Sequence, residues 1–505
     1  MKKPRVHRLQ DGLLLRSARG LITLLCACSF SATSSAACAE DLHRAAREQK
    51  AKYAGQLEAL AAWCDEHGLS DQAKKTRGWL RGQDPNKFYV ADLPQTMGRA
   101  PLPESASPEL VEWDKRFWQL RRQYAATADT LARRAVRNGQ ASLAFDLALA
   151  AIRENPDHEG IRRVLGFTKY RNGWYTLYEI DKLRAGYIWD DQFGWIHKSH
   201  LPRYRQGQRL NGNVWVTADE DARLHGTIES GWDVETEHYT IRTNHGIQAA
   251  VALGVKLERL YRVWKQLFVS YFADEAQLLE LFEGRNRARR SQAPPMGVVY
   301  FRDRDDYVRA LKPAFPDIGI SIGIYVENTR RAYFFAGEGQ DERTMYHEAT
   351  HQLFHEARPV SPAIGRNGNF WIVEGIAMYM ESLRQEDGLN VLGGFDDLRM
   401  KVARYRLLND KFYVPLQEFS TYSLSKLQRD PRIATLYTQA AGQTHFLIHY
   451  DDGAYRDALV RYLDAVYAGR DNPLTLSKLT GKSFQDLDAE YRKFIESGRV
   501  GSGRD

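Results

Sequence analysis

At 505 residues, with 43% hydrophobic and 11% aromatic side chains, the chain is long enough for more than one domain and too rich in core-forming residues to be a disordered polymer. Its net charge of +7 hints at an anionic partner, but six basic residues, Lys2, Lys3, Arg5, Arg8, Arg16 and Arg19, belong to the very start of the chain. Without residues 1–39 the balance is only +2, and charge then gives no reason to expect a nucleic acid or a membrane surface as partner.

Those first 39 residues are basic, then apolar in GLITLLCACSF, then small up to Ala37, Cys38 and Ala39, the order of a secretory signal cleaved after Ala39. The apolar run from Leu21 to Phe30 is well short of the ~20 residues that span a bilayer. The expected product is exported, periplasmic or extracellular, with no integral membrane segment left; lipid attachment near Cys26 and Cys28 is the lesser variant. Of the cysteines at 26, 28, 38 and 64 only Cys64 survives cleavage, so no disulfide forms within the chain, and its helical setting makes it a buried apolar residue.

Residues 40–225 are expected to be mainly helical, because Leu, Ala and Trp recur at three- and four-residue intervals. Two helices joined near Asn138 and Gly139 and closed by Asn155 and Pro156 resemble one tetratricopeptide-type hairpin, and the region could receive a protein partner. The stretches DPNKFYVADLPQTMGRAPLPESASPE and RYRQGQRLNGN read as linkers or surface loops, and RNRARR at 285–290 as a solvated basic cluster.

From Trp232 the pattern changes. HYTIRTN alternates as a strand, GIQAAVALGVKLERLYRVWKQLFVSYF is a long helix, and MGVVYF is a buried strand. GISIGIYVENTRRAYFFA then forms two strands about a turn near Asn328, after which helices continue to about residue 497 and a frayed tail covers 498–505. The class is therefore α+β: a helical front, then residues 226–497 with a small mixed sheet, one histidine-rich helix and a helical end.

That helix is TMYHEATHQLFHE, which gathers three of the 14 histidines. At about 100° per residue, His351 falls about 40° from His347 and Glu348 about 100° away, so two imidazoles share one face with a carboxylate beside them. This H-E-x-x-H spacing suits one tetrahedral zinc held by two neutral nitrogens, although a solvated polar face has the same look. Tyr346, Thr350, Leu353, Phe354 and Ala357 form the opposite, apolar stripe.

Downstream, FWIVEGIAMYM is apolar except for Glu374, and an ionised carboxylate there loses several kcal/mol of solvation unless a cation or several donors meet it. Zinc is the natural cation, with an Arg or Lys as the alternative, and Gly375 beside it would let the two metal helices approach closely. Glu381 returns to the same face seven residues on, either to hydrogen-bond a ligand histidine or as an ordinary helix-end charge. His355 shares the metal face two turns from His347, too far for easy ligation, and is expected to line the cleft or support the ligands.

His347, Glu348 and His351, followed by Glu374, Gly375, Ile376 and Ala377, resemble the gluzincin metallopeptidases, the thermolysin and aminopeptidase-like clan, and especially its exported bacterial peptidase-MA-like proteins. The metzincin branch fits badly, since Phe354 stands for its glycine and Ala357 for its third histidine. The resemblance implies one zinc on His347, His351 and Glu374, Glu348 as general base, and hydrolysis of a peptide or protein substrate. It further implies an oxyanion donor at Tyr437, with His445 as substitute. Of the strand that captures a free amino terminus in the aminopeptidase branch, only Val326, Glu327 and Asn328 have a counterpart, so exopeptidase action is not implied. The strand at residues 332–335 is expected to offer a free edge to the substrate backbone. The competing reading is a scaffold that keeps the metal site without turnover.

Overall fold

Good helix formers occupy the front of the chain, and the computed structural model, which describes residues 22–79, 84–93, 101–284, 293–339 and 341–498 with side chains from Asp41 onward, folds most of them as helices. These are α1 (Ile22–Glu66), α2 (Ser70–Trp79), α3 (Pro108–Arg137), α4 (Ala141–Glu154) and α5 (Glu159–Val164). Residues 1–21 of the expected signal, the basic cluster at 285–290 and all of the tail but Gly498 lie outside the described residues. Among the described residues no helix is long and apolar enough to cross a membrane.

Ser107 caps α3 by accepting from the Leu110 amide, and Pro108 occupies the first turn, where its missing N–H costs nothing. Gly139, at φ +70°, turns the chain from α3 into α4, and the expected helical hairpin is present. The helices are tied at a buried carboxylate: Glu154 accepts from the Arg121 guanidinium (3.1 Å), the Tyr53 hydroxyl (2.9 Å) and the Trp79 indole (2.8 Å). Cys64 is fully buried in α1.

Two stretches depart from the helical front. β1 (Lys87–Ala91) forms inside the expected loop DPNKFYVADLPQ. Residues 168–224 build three consecutive hairpin-helix units: β2 (Thr168–Tyr170) and β3 (Gly173–Tyr175) with α6 (Leu177–Arg184), β4 (Tyr187–Asp190) and β5 (Gly194–His197) with α7 (Leu201–Arg205), and β6 (Gln208–Asn211) and β7 (Val214–Thr217) with α8 (Ala218–Leu224). Each opens after a left-handed glycine, Gly166, Gly186 or Gly207, and each places a tryptophan, Trp174, Trp195 or Trp215, second in its return strand. Strands of three or four residues are too short for alternation to register, so RYRQGQRLNGN, which contains α7's end and β6, reads as a loop in sequence.

The rest of the chain carries β8 (Trp232–Glu235), β9 (Tyr239–Thr243), α9 (Ile247–Leu267), α10 (Val269–Phe272), α11 (Glu275–Glu283), β10 (Met296–Phe301), α12 (Arg304–Leu311), β11 (Ile324–Val326) and β12 (Arg331–Phe335). The five strands form one sheet in the order β11-β12-β10-β9-β8, with β10 parallel to β12 and β9 and both outer strands antiparallel to their neighbours. Because β11 pairs with β12 over residues 331–333, Ala332 and Tyr333 of the expected 332–335 edge are covered, and the outer edge of the sheet there belongs to β11.

α13 (Glu342–Glu356) and α14 (Phe370–Met380) follow, then β13 (Arg384–Glu386) and β14 (Leu389–Gly393), which form a second sheet in the order β1-β14-β13. The chain ends with α15 (Leu398–Leu408), α16 (Leu416–Phe419), α17 (Leu424–Arg429), α18 (Ile433–His449), α19 (Arg456–Tyr467), α20 (Thr475–Thr480) and α21 (Phe484–Ser497), and the class is α+β. One core joins Ile241 of the sheet, Trp264 of α9, Phe354 of α13, Trp371 and Ile376 of α14, Phe446 of α18 and Tyr462 of α19. At roughly 1.5–3 kcal/mol per buried large side chain, this packing rather than helix propensity fixes α13 and α14.

Candidate metal centre

Asp341 starts α13 by accepting from the Thr344 amide at 2.8 Å. Tyr346, Ala349, Thr350, Leu353 and Phe354 are buried on its inner face, while Ala357 lies just past its end and is exposed, shortening the expected stripe by one residue. The outer face presents His347, Glu348 and His351.

α14 is pinned at its start by Asn369, which donates to Asp471 (2.7 Å) and accepts from the Tyr462 hydroxyl (2.6 Å). Every residue of α14 except Glu374 is buried, and Glu374 is turned toward α13. A Cβ on Gly375 would collide with Thr444 Oγ1 and lie 2.9 Å from the Ala440 carbonyl. The close approach that Gly375 permits is therefore with α18, not with α13.

His347, His351 and Glu374 each offer one ligand atom, all within 4.8 Å of one another, and could hold a metal ion. His347 Nε2 lies 3.2 Å from His351 Nε2 and 3.5 Å from Glu374 Oε2, and the third separation, His351 Nε2 to Glu374 Oε2, is 4.0 Å. Burial would lower the His347 pKa, but hydrogen bonding to Glu374 and Glu381 outweighs it and lifts the ring to about 10. For His351 burial dominates and the pKa falls to about 4. Burial also opposes ionisation of Glu374, yet its bond to His347 holds it below the usual carboxylate range. Two rings and a carboxylate thus compete for one proton in a space where a cation satisfies all three.

Glu348 stands beside this group with Oε2 accepting from the Tyr325 amide of β11 at 2.9 Å. Burial lifts its pKa to about 7. Behind the ligands, Glu381 Oε1 accepts from His347 Nδ1 at 2.9 Å, and Arg399 donates to Glu381 from Nε (2.8 Å) and Nη2 (2.9 Å). Arg343 lies 3.5 Å from Glu381 and donates to Asp397 at 3.0 Å. With Nδ1 as donor to a carboxylate, a neutral His347 ring carries its lone pair on Nε2, the atom nearest His351 and Glu374.

Tyr437, on α18, is half-buried and close enough for the charges of Glu374 and Glu348 to act on it, and burial with those charges raises its pKa. His445 is elsewhere: two turns further along α18 it is buried, tilted against His449 (ring centroids 4.5 Å) and near Tyr379, Phe395 and Phe494. A ring closed off in this way cannot meet a substrate, so the substitute role expected for His445 fails. His355 approaches Glu327 at 3.4 Å and packs against Tyr325 and Tyr467, on the wall of the site rather than among the ligands. Arg399 and the Tyr325 amide escape sequence reasoning: one is an arginine among many, and a main-chain donor has no residue signature.

Residues 341–474 match a family described as "Protein of unknown function (DUF1570)". No curated protein matches the chain. The matched segment begins at the cap of α13 and extends past α19, so it contains His347, Glu348, His351, Glu374, Glu381 and Tyr437 together.

Proposed function

We propose that this protein is a zinc-dependent hydrolase of peptide bonds, of the gluzincin type, exported from the cell that makes it. The observation that carries the reading is the convergence of two imidazole nitrogens and a carboxylate oxygen, 3.2, 3.5 and 4.0 Å apart, with a fourth side chain, Glu348, left out of the group. Ligands at ~2.0–2.1 Å from a tetrahedral zinc stand about 3.3–3.4 Å from one another, so these atoms fit such an ion with shifts of a few tenths of an ångström. Nitrogen and carboxylate donors in this ratio suit zinc better than calcium or magnesium, which take oxygen.

When bound, zinc supplies a Lewis acid and brings the pKa of a water down toward about 7. Glu348 has Oε2 occupied by the Tyr325 amide, which leaves Oε1 to take the proton of the attacking water and hand it to the leaving amine. Burial of the Glu348 carboxyl favours its taking that proton. The Tyr437 hydroxyl keeps its proton and donates a hydrogen bond to the oxyanion. Glu381 holds His347 in its ligating tautomer.

The test is zinc content and peptide hydrolysis in wild type, Glu348→Gln and His347→Ala. The expected result is one zinc per chain in the first two and none in the third, with hydrolysis reduced by about 10²- to 10⁴-fold in Glu348→Gln. Hydrolysis that is equal in wild type and Glu348→Gln would instead favour the scaffold reading, in which the helical front holds a protein partner and the metal only clamps α13 to α14.

A further inference from the structure

Away from the candidate metal ligands, the sheet and two helices enclose a second concavity, of about 140 Å³. β9, β10 and β12 run parallel, and the concavity lies toward their carboxyl ends, where open sheets leave room for ligands. Tyr300 and Phe334, each next to last in its strand and paired in register, stand side by side in its lining. α9 contributes Ala249, Ala252 and Lys256, and α13 contributes Met345. The two alanines leave the space unfilled, and Ala252 is exposed, so the concavity opens to water there. Met345 is buried about 160° around α13 from His347, which puts the concavity on the face of that helix turned away from the candidate ligands.

Size and lining together define the ligand. An apolar cavity of about 150 Å³ takes one benzene-sized ring. Phe334 is buried and Tyr300 half-buried, and two neighbouring aromatic side chains meet such a ring edge-on or offset. Lys256 is the cation of the lining, and its Nζ reaches Glu342 at 2.5 Å. The side chains of this bridge are 36% and 52% exposed, so water weakens it and a carboxylate on the ligand can replace Glu342. Because the aromatic side chains and Lys256 line one small space, ring and carboxylate belong to one small molecule, joined by a short linker.

We propose that this concavity is a binding site for a single-ring aryl carboxylate, with the ring against Tyr300 and Phe334 and the carboxylate on Lys256 Nζ. The inference stands apart from the peptidase reading, since no candidate metal ligand takes part. Hydrocinnamate titrated into the full chain with isotope-labelled methionine methyls tests it, Met345→Leu identifying the Met345 signal. The Met345 methyl should shift with a dissociation constant of about 1 mM, ordinary for a ligand of this size. Ala249→Leu, which fills the space, should weaken binding at least about tenfold. Lys256→Met should weaken hydrocinnamate about fivefold and leave hydrocinnamyl alcohol unchanged. A Met345 methyl unmoved in wild type at about twenty times that concentration overturns the inference. Shifts confined to other methionine methyls place the ligand elsewhere and overturn it as well, as does wild-type affinity in an Ala249→Leu protein of normal melting temperature. Equal hydrocinnamate affinity in Lys256→Met and wild type overturns the carboxylate assignment, and that comparison decides alone where Ala249→Leu does not fold.

Discussion

Glu381→Gln is the sharpest test of how the metal centre is held. Glu381 is 5% exposed, and its two oxygens receive the His347 ring at 2.9 Å and the Arg399 guanidinium at 2.8 and 2.9 Å, with Arg343 at 3.5 Å. Glutamine has the same shape but only one acceptor oxygen. If that oxygen stays with His347, the new amide N–H groups point at two guanidinium groups. If the side chain flips, the amide donates to Nδ1, and the His347 proton moves to Nε2, into the gap shared with His351 and Glu374. Either arrangement weakens zinc binding by about 10- to 100-fold, or about 1.4–2.8 kcal/mol. Competition with a chromogenic chelator at neutral pH measures the change, and Arg399→Met, which leaves the carboxylate and the tautomer in place, should lose less. Zinc affinity within twofold of wild type in a normally folded Glu381→Gln protein would refute the reasoning.

Gly375→Ala should lower stability by about 1–3 kcal/mol, since its Cβ would press on Thr444 and on the Ala440 carbonyl; a wild-type melting temperature would show that α14 and α18 can part freely. Tyr325→Pro removes the amide that holds Glu348 on a strand edge where proline is tolerated, and should reduce kcat about 10- to 100-fold with KM and zinc little changed. Tyr325→Phe keeps that amide, and equal kcat in the two variants would deny it any part. Burial lowers the His445 pKa from 6.5 to about 4, with His449 beside it also lowered and Asp84, Asp396 and Asp397 nearby acting in the opposite sense. The folded state therefore resists a proton that the unfolded chain accepts, so stability is complete above 6.5 and falls as pH drops toward 4. At pH 5 His445 alone should cost about 2 kcal/mol, and His445→Gln should flatten the dependence of melting temperature on pH in that window.

What could be read from sequence was what repeats or what conflicts with its surroundings. His347 and His351 share a face by helical geometry alone, and Glu374 stands out as a charge inside an apolar run; the structure brings all three together. Glu381 was one of two possibilities, and only the fold shows it bonded to His347. The strand at 296–301 was legible because it is long and wholly apolar. β11 and β12, the two strands expected about a turn near Asn328, both form, and the free edge expected of β12 is covered by β11 over residues 331–333. His445 misled because spacing along a helix says nothing about which neighbour covers it. The three hairpins did leave a trace, glycines at 166, 186 and 207 each followed by a tryptophan, but that rhythm is carried by single residues with little similarity between them.

The front half of the chain is not an adaptor set beside an independent site. β1 pairs along β14, the hairpin that follows Glu381, and Lys87 on that strand bonds Asp396 at 2.9 Å and lies 3.4 Å from Glu386. Just before it, the backbone of Pro85 and Asn86 bonds His449 and His445, which back onto Tyr379 in α14. On the far side, Asp146 of α4 pairs with Arg456 at the start of α19 at 2.7 Å, and Ser142 donates to Asp457. The helix that supplies Glu374 and the carboxylate that orients His347 are thus braced by strand and side chains from before residue 155, outside the segment that matches the family. The front half is thus built into the platform of the candidate metal centre.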